Sequence, residues 1–313
     1  MGIKNLLKKN KYIENLYIKH VDNQKLKAGK YLFNNRGHNE NELLIVLAGY
    51  KPFLWDVVFG RIKRFTPENV DVVIVSSGMI SEELDEISKQ FGWSYLGMRT
   101  NHVGLAQNIA ISKFENADYI YKVDEDIFVT QNFFEETKKS YFAAQRDSSY
   151  EVAFSGALIP INKYSYPFLL KETNQVETFE QKFGEISVIK KDNAIETSPE
   201  IAKFFWGEGN HFPAIDQLDK ELANKELEYS FSPIRYSIGA IFMPRSTWVD
   251  MHMFSVKGAG IGMDERQLDN LATTNSKAIV VSHNTAVGHF SFGQQTDEMK
   301  KYFESHRDVF EMN

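Results

Sequence analysis

Apolar positions along this chain fall into short, nearly continuous runs, separated by segments with helical spacing. Residues 43–50 (Leu-Leu-Ile-Val-Leu-Ala-Gly-Tyr) are almost wholly apolar and end in a turn, which predicts a strand buried on both faces. Trp55 to Phe65 follows a helical period until Thr66-Pro67-Glu68-Asn69 breaks it. Asp71 to Val75 predicts a second buried strand, closed by Ser76-Ser77-Gly78. Ser81 reads as a helix N-cap, with Glu82 and Glu83 in the first turn where the helix dipole favours acids, and that helix runs to about Phe91. A short strand near Trp93–Met98, a helix over Val103–Phe114 and a strand at 119–123 follow. Strand and helix alternating at this spacing predict parallel strands joined by crossover helices. Such sheets bind ligands at the carboxyl ends of their strands. Ala48-Gly49-Tyr50, Ser76-Ser77-Gly78 and Asp124-Glu125-Asp126 all fall at those ends.

The second half is less periodic. Gln131–Gln145 predicts a helix, Val152–Ile159 a strand, Arg235–Met243 an apolar strand-like run, Met263–Thr273 a helix and Ala278–Ser282 a strand. Residues 162–232 mix aromatics and charges without a clear period and read as a long insertion. The division expected is an N-terminal basic extension over 1–42, a first half over 43–130, a second half over 131–292 that contains the insertion, and a C-terminal helix over 293–313. No internal repeat, low-complexity tract or Gly/Ser linker interrupts the chain, so the expectation is a single α/β unit.

Composition removes several alternatives. A formal net charge of −6 argues against nucleic acid as the main partner, because phosphate backbones demand a basic footprint. The chain has no cysteine, which excludes disulfides and thiolate metal sites. No run approaches the roughly 18 apolar residues of a membrane span, and the first residues lack the apolar core of a signal peptide. Ile3, Leu6, Leu7, Ile13, Leu16 and Tyr17 interleave with Lys4, Lys8, Lys9, Lys11 and Lys19. This segment reads either as a basic amphipathic helix on an anionic membrane surface or as an ordinary surface helix with its lysines outward. The expected location is cytoplasmic, with peripheral contact at the inner membrane face under the first of these readings.

Candidate chemistry centres on Asp124-Glu125-Asp126, which ends the β-rich run Asp118-Tyr-Ile-Tyr-Lys-Val-Asp124. Side chains two apart on a strand share a face, so Asp124 and Asp126 can point the same way where the strand opens into a loop. Hard oxygen ligands there suit Mn²⁺ or Mg²⁺ with open positions that a diphosphate can fill. A second constellation is Gly258-Ala-Gly260-Ile-Gly262-Met-Asp264-Glu265-Arg266-Gln267-Leu268, a glycine-rich turn leading into a helix that opens with two acids. A carboxylate in such a place can take the proton from a hydroxyl nucleophile, or can simply complement the helix dipole.

The order of these motifs resembles a nucleotide-sugar glycosyltransferase of the GT-A fold, a Rossmann-like, mostly parallel sheet flanked by helices, and is most similar to the inverting family 2. The likeness covers roughly residues 43–292 and is best over 43–130. Asn101-His-Val-Gly104-Leu-Ala106-Gln-Asn108-Ile-Ala110 looks like that family's Gly-x-x-x-Ala-x-Asn segment ahead of the acidic triplet. The resemblance implies that Asp126 binds the metal and that Asp124 reaches the ribose or, through water, the metal, with Glu125 as the variable middle. It also implies that Ala48, Gly49 and Tyr50 line the nucleoside site, Tyr50 either stacking on a base or packing. Ser76-Ser77-Gly78 departs from the acidic residue many relatives carry, which leaves the base open, although UDP is the expected nucleotide.

Asp264-Glu265-x-x-Leu268 resembles the family's catalytic pair with its order reversed; alignment on Leu268 makes Glu265 the general base and Asp264 its neighbour. His289 in Ala286-Val-Gly288-His289 matches a third metal ligand, with His283 as competitor. Gly239 resembles a position where donor sugar meets backbone, and Trp248 is either an acceptor-stacking ring or core. Trp206-Gly207-Glu208-Gly209-Asn210-His211 resembles a sugar-contacting loop. The implied activity is metal-dependent, inverting transfer from a nucleoside-diphosphate sugar to a glycan or lipid-linked glycan in cell-surface polysaccharide synthesis. Two alternatives compete: a sugar-phosphate nucleotidylyltransferase, and a glycan-binding module without turnover.

Overall fold

The longest apolar runs form the middle of a mixed sheet in the computed structural model, which describes residues 20, 23–27, 29–188, 194–257 and 262–312. The sheet strands, in chain order, are β1 (Tyr31–Asn34), β2 (Glu42–Leu47), β3 (Val70–Ser77), β4 (Ser94–Met98), β5 (Tyr119–Asp124), β7 (Glu151–Leu158), β8 (Tyr229–Phe231), β9 (Ala240–Pro244) and β10 (Lys277–Ala286). They lie in the order β1-β4-β3-β2-β5-β9-β7-β10-β8. A separate two-stranded ribbon joins β6 (Ile127–Phe128) to β11 (Gly288–His289).

Parallel pairing of β4, β3, β2 and β5, and of β7 with β10, makes the sheet mostly parallel, and helices flank it. Leu43, Leu44, Ile45 and Val46 are fully buried, and Val73, Ile74 and Val123 join them. Each such side chain contributes about 1.5–3 kcal/mol when taken wholly out of water, which is why these runs occupy the centre. Ser81 caps the Glu82–Phe91 helix by accepting from the N–H of Leu84 at 3.2 Å, and Gly92 ends that helix in the left-handed region at φ 76°.

One feature departs from the sequence reading, and others were not specified by it. Tyr31–Asn34 does not stay outside as part of an extension but pairs antiparallel with β4 as an edge strand. Asp71 ties the intervening chain down, accepting from the N–H groups of His38 and Glu40 at 2.7 and 3.0 Å. Strand β9, expected only as an apolar run without a direction, lies antiparallel between β5 and β7. Direction is set by the path of the connecting chain, which apolar runs do not encode. Residues 162–232 hold the helices Tyr166–Glu172, Val176–Phe183, Pro199–Phe205 and Ile215–Ala223 before ending at β8. The C-terminal segment forms a helix over Thr296–Ser305. Both the lysine-rich segment from Ile3 to Lys19 and the glycines at 258 and 260 lie outside the described residues. Among the described residues, no helix is long and apolar enough to cross a membrane.

Candidate active site

The antiparallel strand matters for the site. Because β9 runs against β5, it begins where β5 ends, and Val123 pairs with Ala240. Gly239 therefore sits beside Asp124, whose N–H donates to the Gly239 carbonyl at 3.0 Å. A Cβ at Gly239 would stand 3.0 Å from Ile127 and 3.5 Å from the Asp124 carboxylate, so the absent side chain leaves room above the strand end. The same edge receives the ends of β2 and β3 and the start of the Met263–Thr274 helix. A cavity of about 330 Å³ opens there, within the usual range for small-ligand sites.

Five carboxyl residues line it (Asp124, Glu125, Asp126, Asp264, Glu265), along with two lysines, Lys51 and Lys122, and His289. The triplet splits where β5 ends, with Glu125 and Asp126 in the turn that follows. Glu125 turns inward and accepts from the N–H groups of Gly49 and Tyr50 at 2.9 and 2.8 Å and from the indole of Trp55 at 2.6 Å. It braces the 48–50 turn, where Gly49 holds φ 148°, a value that L side chains rarely adopt. Glu125 thus has both oxygens engaged by protein donors while it lines the cavity.

Asp124 and Asp126 keep to the cavity side, each with a lysine. Lys122, buried in β5, approaches Asp124 at 2.6 Å and donates to the Ile238 carbonyl at 2.9 Å. Loss of surrounding water still raises the Asp124 carboxyl, with Lys122 opposing the rise and Asp126 adding to it. Asp126 is more enclosed. Burial alone would raise its carboxyl, but His289 and the Lys51 ammonium, which is lodged on Oδ2, together hold it well below the ordinary carboxylate range.

The ribbon brings His289 into place. Ile127 pairs with His289, and the Phe290 N–H donates to the Asp126 carbonyl at 2.9 Å, so imidazole Nε2 lies 3.4 Å from Asp126 Oδ2. His283 is elsewhere, with Nε2 at 2.8 Å from the Ser230 hydroxyl beside the edge strand β8. Among the described residues, no group of three His, Asp or Glu side chains stands ready to enclose a metal ion. Asp126 and His289 do supply one carboxylate and one imidazole at a single point, and His289 Nδ1 is buried without a hydrogen-bond partner. That donor set fits Mn²⁺ better than Mg²⁺, with the remaining positions left to a bound ligand.

Asp264, also in the lining, is buried and accepts from the Gln107 amide at 2.8 Å. Glu265 is partly exposed; burial raises its carboxyl, Arg235 and Lys122 oppose the rise, and Asp264 and Asp124 add to it. Its Oε1 has no hydrogen-bond partner, the nearest cation being Arg235 Nε at 3.4 Å. Tyr50 stands at the opposite end of the cavity, 59% exposed, with its hydroxyl anchored to the Ser77 carbonyl at 2.5 Å. Ala48 and Ser77 line the cavity beside it.

Several residues expected at the site serve packing instead. Ser76 points away from the cavity, one strand position from Ser77, and is fully buried against the Tyr95 hydroxyl at 2.8 Å. Asn108 is fully buried, and its Oδ1 accepts from the Trp248 indole and the Phe254 N–H, both at 2.9 Å. That knot fixes the Val103–Lys113 helix, makes Trp248 core rather than a stacking surface, and leaves Asn108 no free group for a cofactor. Gly104 provides close approach, since a Cβ there would meet the Ser255 carbonyl at 2.9 Å. Asn101 is exposed near the Tyr50 hydroxyl, 3.4 Å away. Trp206 is buried beneath the ribbon, its indole donating to the His289 carbonyl at 3.3 Å, so it is not a mobile sugar-contacting ring.

Lys51, Lys122 and Gln107 were not singled out by sequence. Lys122 had a signal: a lysine in an otherwise apolar strand, two positions before Asp124 and on its face. Lys51 and Gln107 had none, because their partners are 75 and 157 residues away.

No family model matches the chain, and no curated protein matches it. Solved structures similar to it include a mannosyltransferase, PcManGT from Pyrobaculum calidifontis, in complex with GDP-Man and Mn²⁺. That likeness has a TM-score of 0.48 at 11% identity, over 88% of this chain and 63% of the other. A second is GalNAc-T7 with UDP, GalNAc and Mn²⁺, with a TM-score of 0.48 at 14% identity, over 87% of this chain and 51% of that one. A third, described as a mycobacterial protein, has a TM-score of 0.44 at 10% identity, over 83% and 70%. The chain thus spans less than two thirds of the length of the first two.

Proposed function

We propose that this protein is a metal-dependent inverting glycosyltransferase of GT-A type, which moves a sugar from a nucleoside-diphosphate donor to a hydroxyl of a glycan acceptor. The reading rests on one cavity lined by Asp126, by His289 with Nε2 3.4 Å from its carboxylate, and by Glu265. Each chemical need of the transfer has a residue there. Tyr50 offers an exposed ring to a base at the nucleoside end. Asp126 and His289 would hold Mn²⁺, which when bound neutralises charge growing on a departing diphosphate. Lys51, already beside Asp126, adds a cation within reach of the same phosphates.

Glu265 is the general base and Asp264 its positioned neighbour. An acceptor hydroxyl is a weak nucleophile and needs a carboxylate in hydrogen-bond reach to take its proton. Glu265 has a buried Oε1 without a hydrogen-bond partner, ion-paired with Arg235 at 3.4 Å, and a raised carboxyl suited to that task, whereas Asp264 already accepts from Gln107. A hydroxyl deprotonated by Glu265 and attacking the anomeric carbon opposite the departing diphosphate would invert that centre. The donor is expected to be a UDP-sugar, and synthesis of a surface polysaccharide is the expected setting. Incubation with a panel of UDP- and GDP-sugars and Mn²⁺, followed by diphosphate release, tests the reading. Release from at least one donor supports it, and silence across the panel while the protein stays folded contradicts it.

A further inference from the structure

Behind Glu265 a second cavity opens, of about 640 Å³. It shares Gly262 and Glu265 with the first, so the two meet at the carboxylate assigned as base. One wall is the Met263–Thr274 helix, with Asp269 a turn beyond Glu265; the other is the segment Ser232 to Arg235. Two carboxyl oxygens of this wall, Glu265 Oε1 and Asp269 Oδ2, are buried without a hydrogen-bond partner. Asp269 Oδ1 accepts from the Tyr236 N–H at 3.1 Å, which fixes the side chain and leaves Oδ2 idle. A buried acceptor without a donor costs about 1–3 kcal/mol, so two of them in one wall are places where a ligand can contribute donors.

Other features of the lining narrow the ligand. Residues four apart on a helix hold their Cβ atoms about 5–6 Å apart, a span that hydroxyls of one sugar ring can bridge. Pro233, Ile234 and Ala272 give carbon surface for the C–H face of such a ring. Once Asp269 is ionised, above about pH 7, Arg235 and Arg266 balance Glu265 and Asp269 in charge, and Arg235 is further engaged by Glu196 at 3.4 Å. A lining with matched charges favours a neutral ligand over an anionic one.

We propose that this second cavity is the acceptor subsite and takes a neutral pyranose, two of whose hydroxyls donate to Glu265 and Asp269. The inference rests on the glycosyl-transfer reading above and names its acceptor class. In the step it serves, the hydroxyl at Glu265 forms a bond from its oxygen to the anomeric carbon of the donor. The bond from that carbon to the diphosphate oxygen breaks, the electron pair leaves with the diphosphate, and the hydroxyl proton passes to Glu265. Asp269 holds the second hydroxyl and so sets which one reaches the base.

Saturation-transfer NMR on the full chain, with the methyl glycosides of glucose, galactose, mannose and glucuronic acid as probes, tests the proposal. A neutral glycoside should receive saturation from the wild type. Its affinity should fall by about tenfold or more in Asp269→Asn, as for loss of one hydrogen bond to a charged group, and in Ala272→Trp, which fills the cavity. Titration of UDP and GDP with Mn²⁺ is run beside it, and Ala272→Trp should keep the wild-type nucleotide affinity, which also shows that it folds. The proposal is overturned if no neutral glycoside is bound, if the signal survives Ala272→Trp, or if the glucuronide is preferred. Absence of nucleotide binding in the wild type would instead strike the glycosyl-transfer reading itself, and the acceptor role with it.

Discussion

Glu265 and Asp264 are neighbours in sequence with opposite environments, and that contrast separates their roles. Gln107 donates to Asp264 at 2.8 Å, whereas the buried Oε1 of Glu265 has no hydrogen-bond donor and only the Arg235 guanidinium nearby at 3.4 Å. Glu265→Gln should therefore leave nucleotide affinity intact and lower turnover by about 10²–10⁴-fold, the usual contribution of a general base. Asp264→Asn should do less to turnover and more to acceptor affinity; the reverse pattern in steady-state kinetics would exchange the two assignments. Asp269 gives a stability prediction. Burial raises its carboxyl to about 7, the Tyr236 N–H and Arg235 pull it down, and Glu265 adds to the rise. The folded protein thus keeps a proton that the unfolded chain gives up near pH 4, so this residue's contribution to stability falls as pH rises from about 4 to 7. Urea unfolding across that window should show a flatter pH slope in Asp269→Asn than in the wild type, and an unchanged slope would rule the assignment out. Asp124 and Asp126 were legible as a pair because both stand at the end of one short apolar run, although Asp126 lies in the turn just beyond the strand. Glu125 as a brace was not, since its donors come from a turn 75 and 76 residues earlier.

At the level of elements, the ribbon of β6 and β11 decides where His289 goes, and it is held from below by aromatic packing. The Trp206 ring meets Phe310 at 4.4 Å and Phe128 at 4.8 Å between centroids. Gly288 lets the indole in, for a Cβ there would come within 2.6 Å of it. Trp206→Ala should cost about 3–5 kcal/mol in denaturant unfolding, the usual range for emptying an aromatic core site. Because the indole also donates to the His289 carbonyl, the variant should weaken Mn²⁺-dependent nucleotide binding as well, which calorimetry would detect. A loss of stability with unchanged metal-dependent affinity would mean that the ribbon holds His289 without this support. The ribbon itself was illegible: two residues per strand are too few to show a period. The first-half strands and helices were legible because each is a sustained run of one period, bounded by proline, glycine or a cap. The antiparallel β9 was visible as an apolar run but not as to direction.

Across the whole molecule, the sheet gathers residues from distant parts of the sequence at one edge. Parallel strands β2, β3 and β5 end there, antiparallel β9 starts there, and β10 delivers β11 to the same place. Lys51, Ser77, Asp126, Gly239, Glu265 and His289 all line one cavity as a result. Sequence spacing could place the acidic triplet and the acidic pair each at an element's end. Only the topology could bring them to one cavity, and it left Asn108, Trp248 and His283 outside that lining by the same means. The central claim is that Asp126 and His289 bind a nucleoside diphosphate through a divalent cation. Isothermal titration of the full chain with UDP and GDP, with and without Mn²⁺, on wild type and Asp126→Ala, tests it most directly. The account predicts nucleotide binding that requires Mn²⁺ and disappears in Asp126→Ala. Equal affinity in the two proteins, or equal affinity with and without the metal, would contradict it.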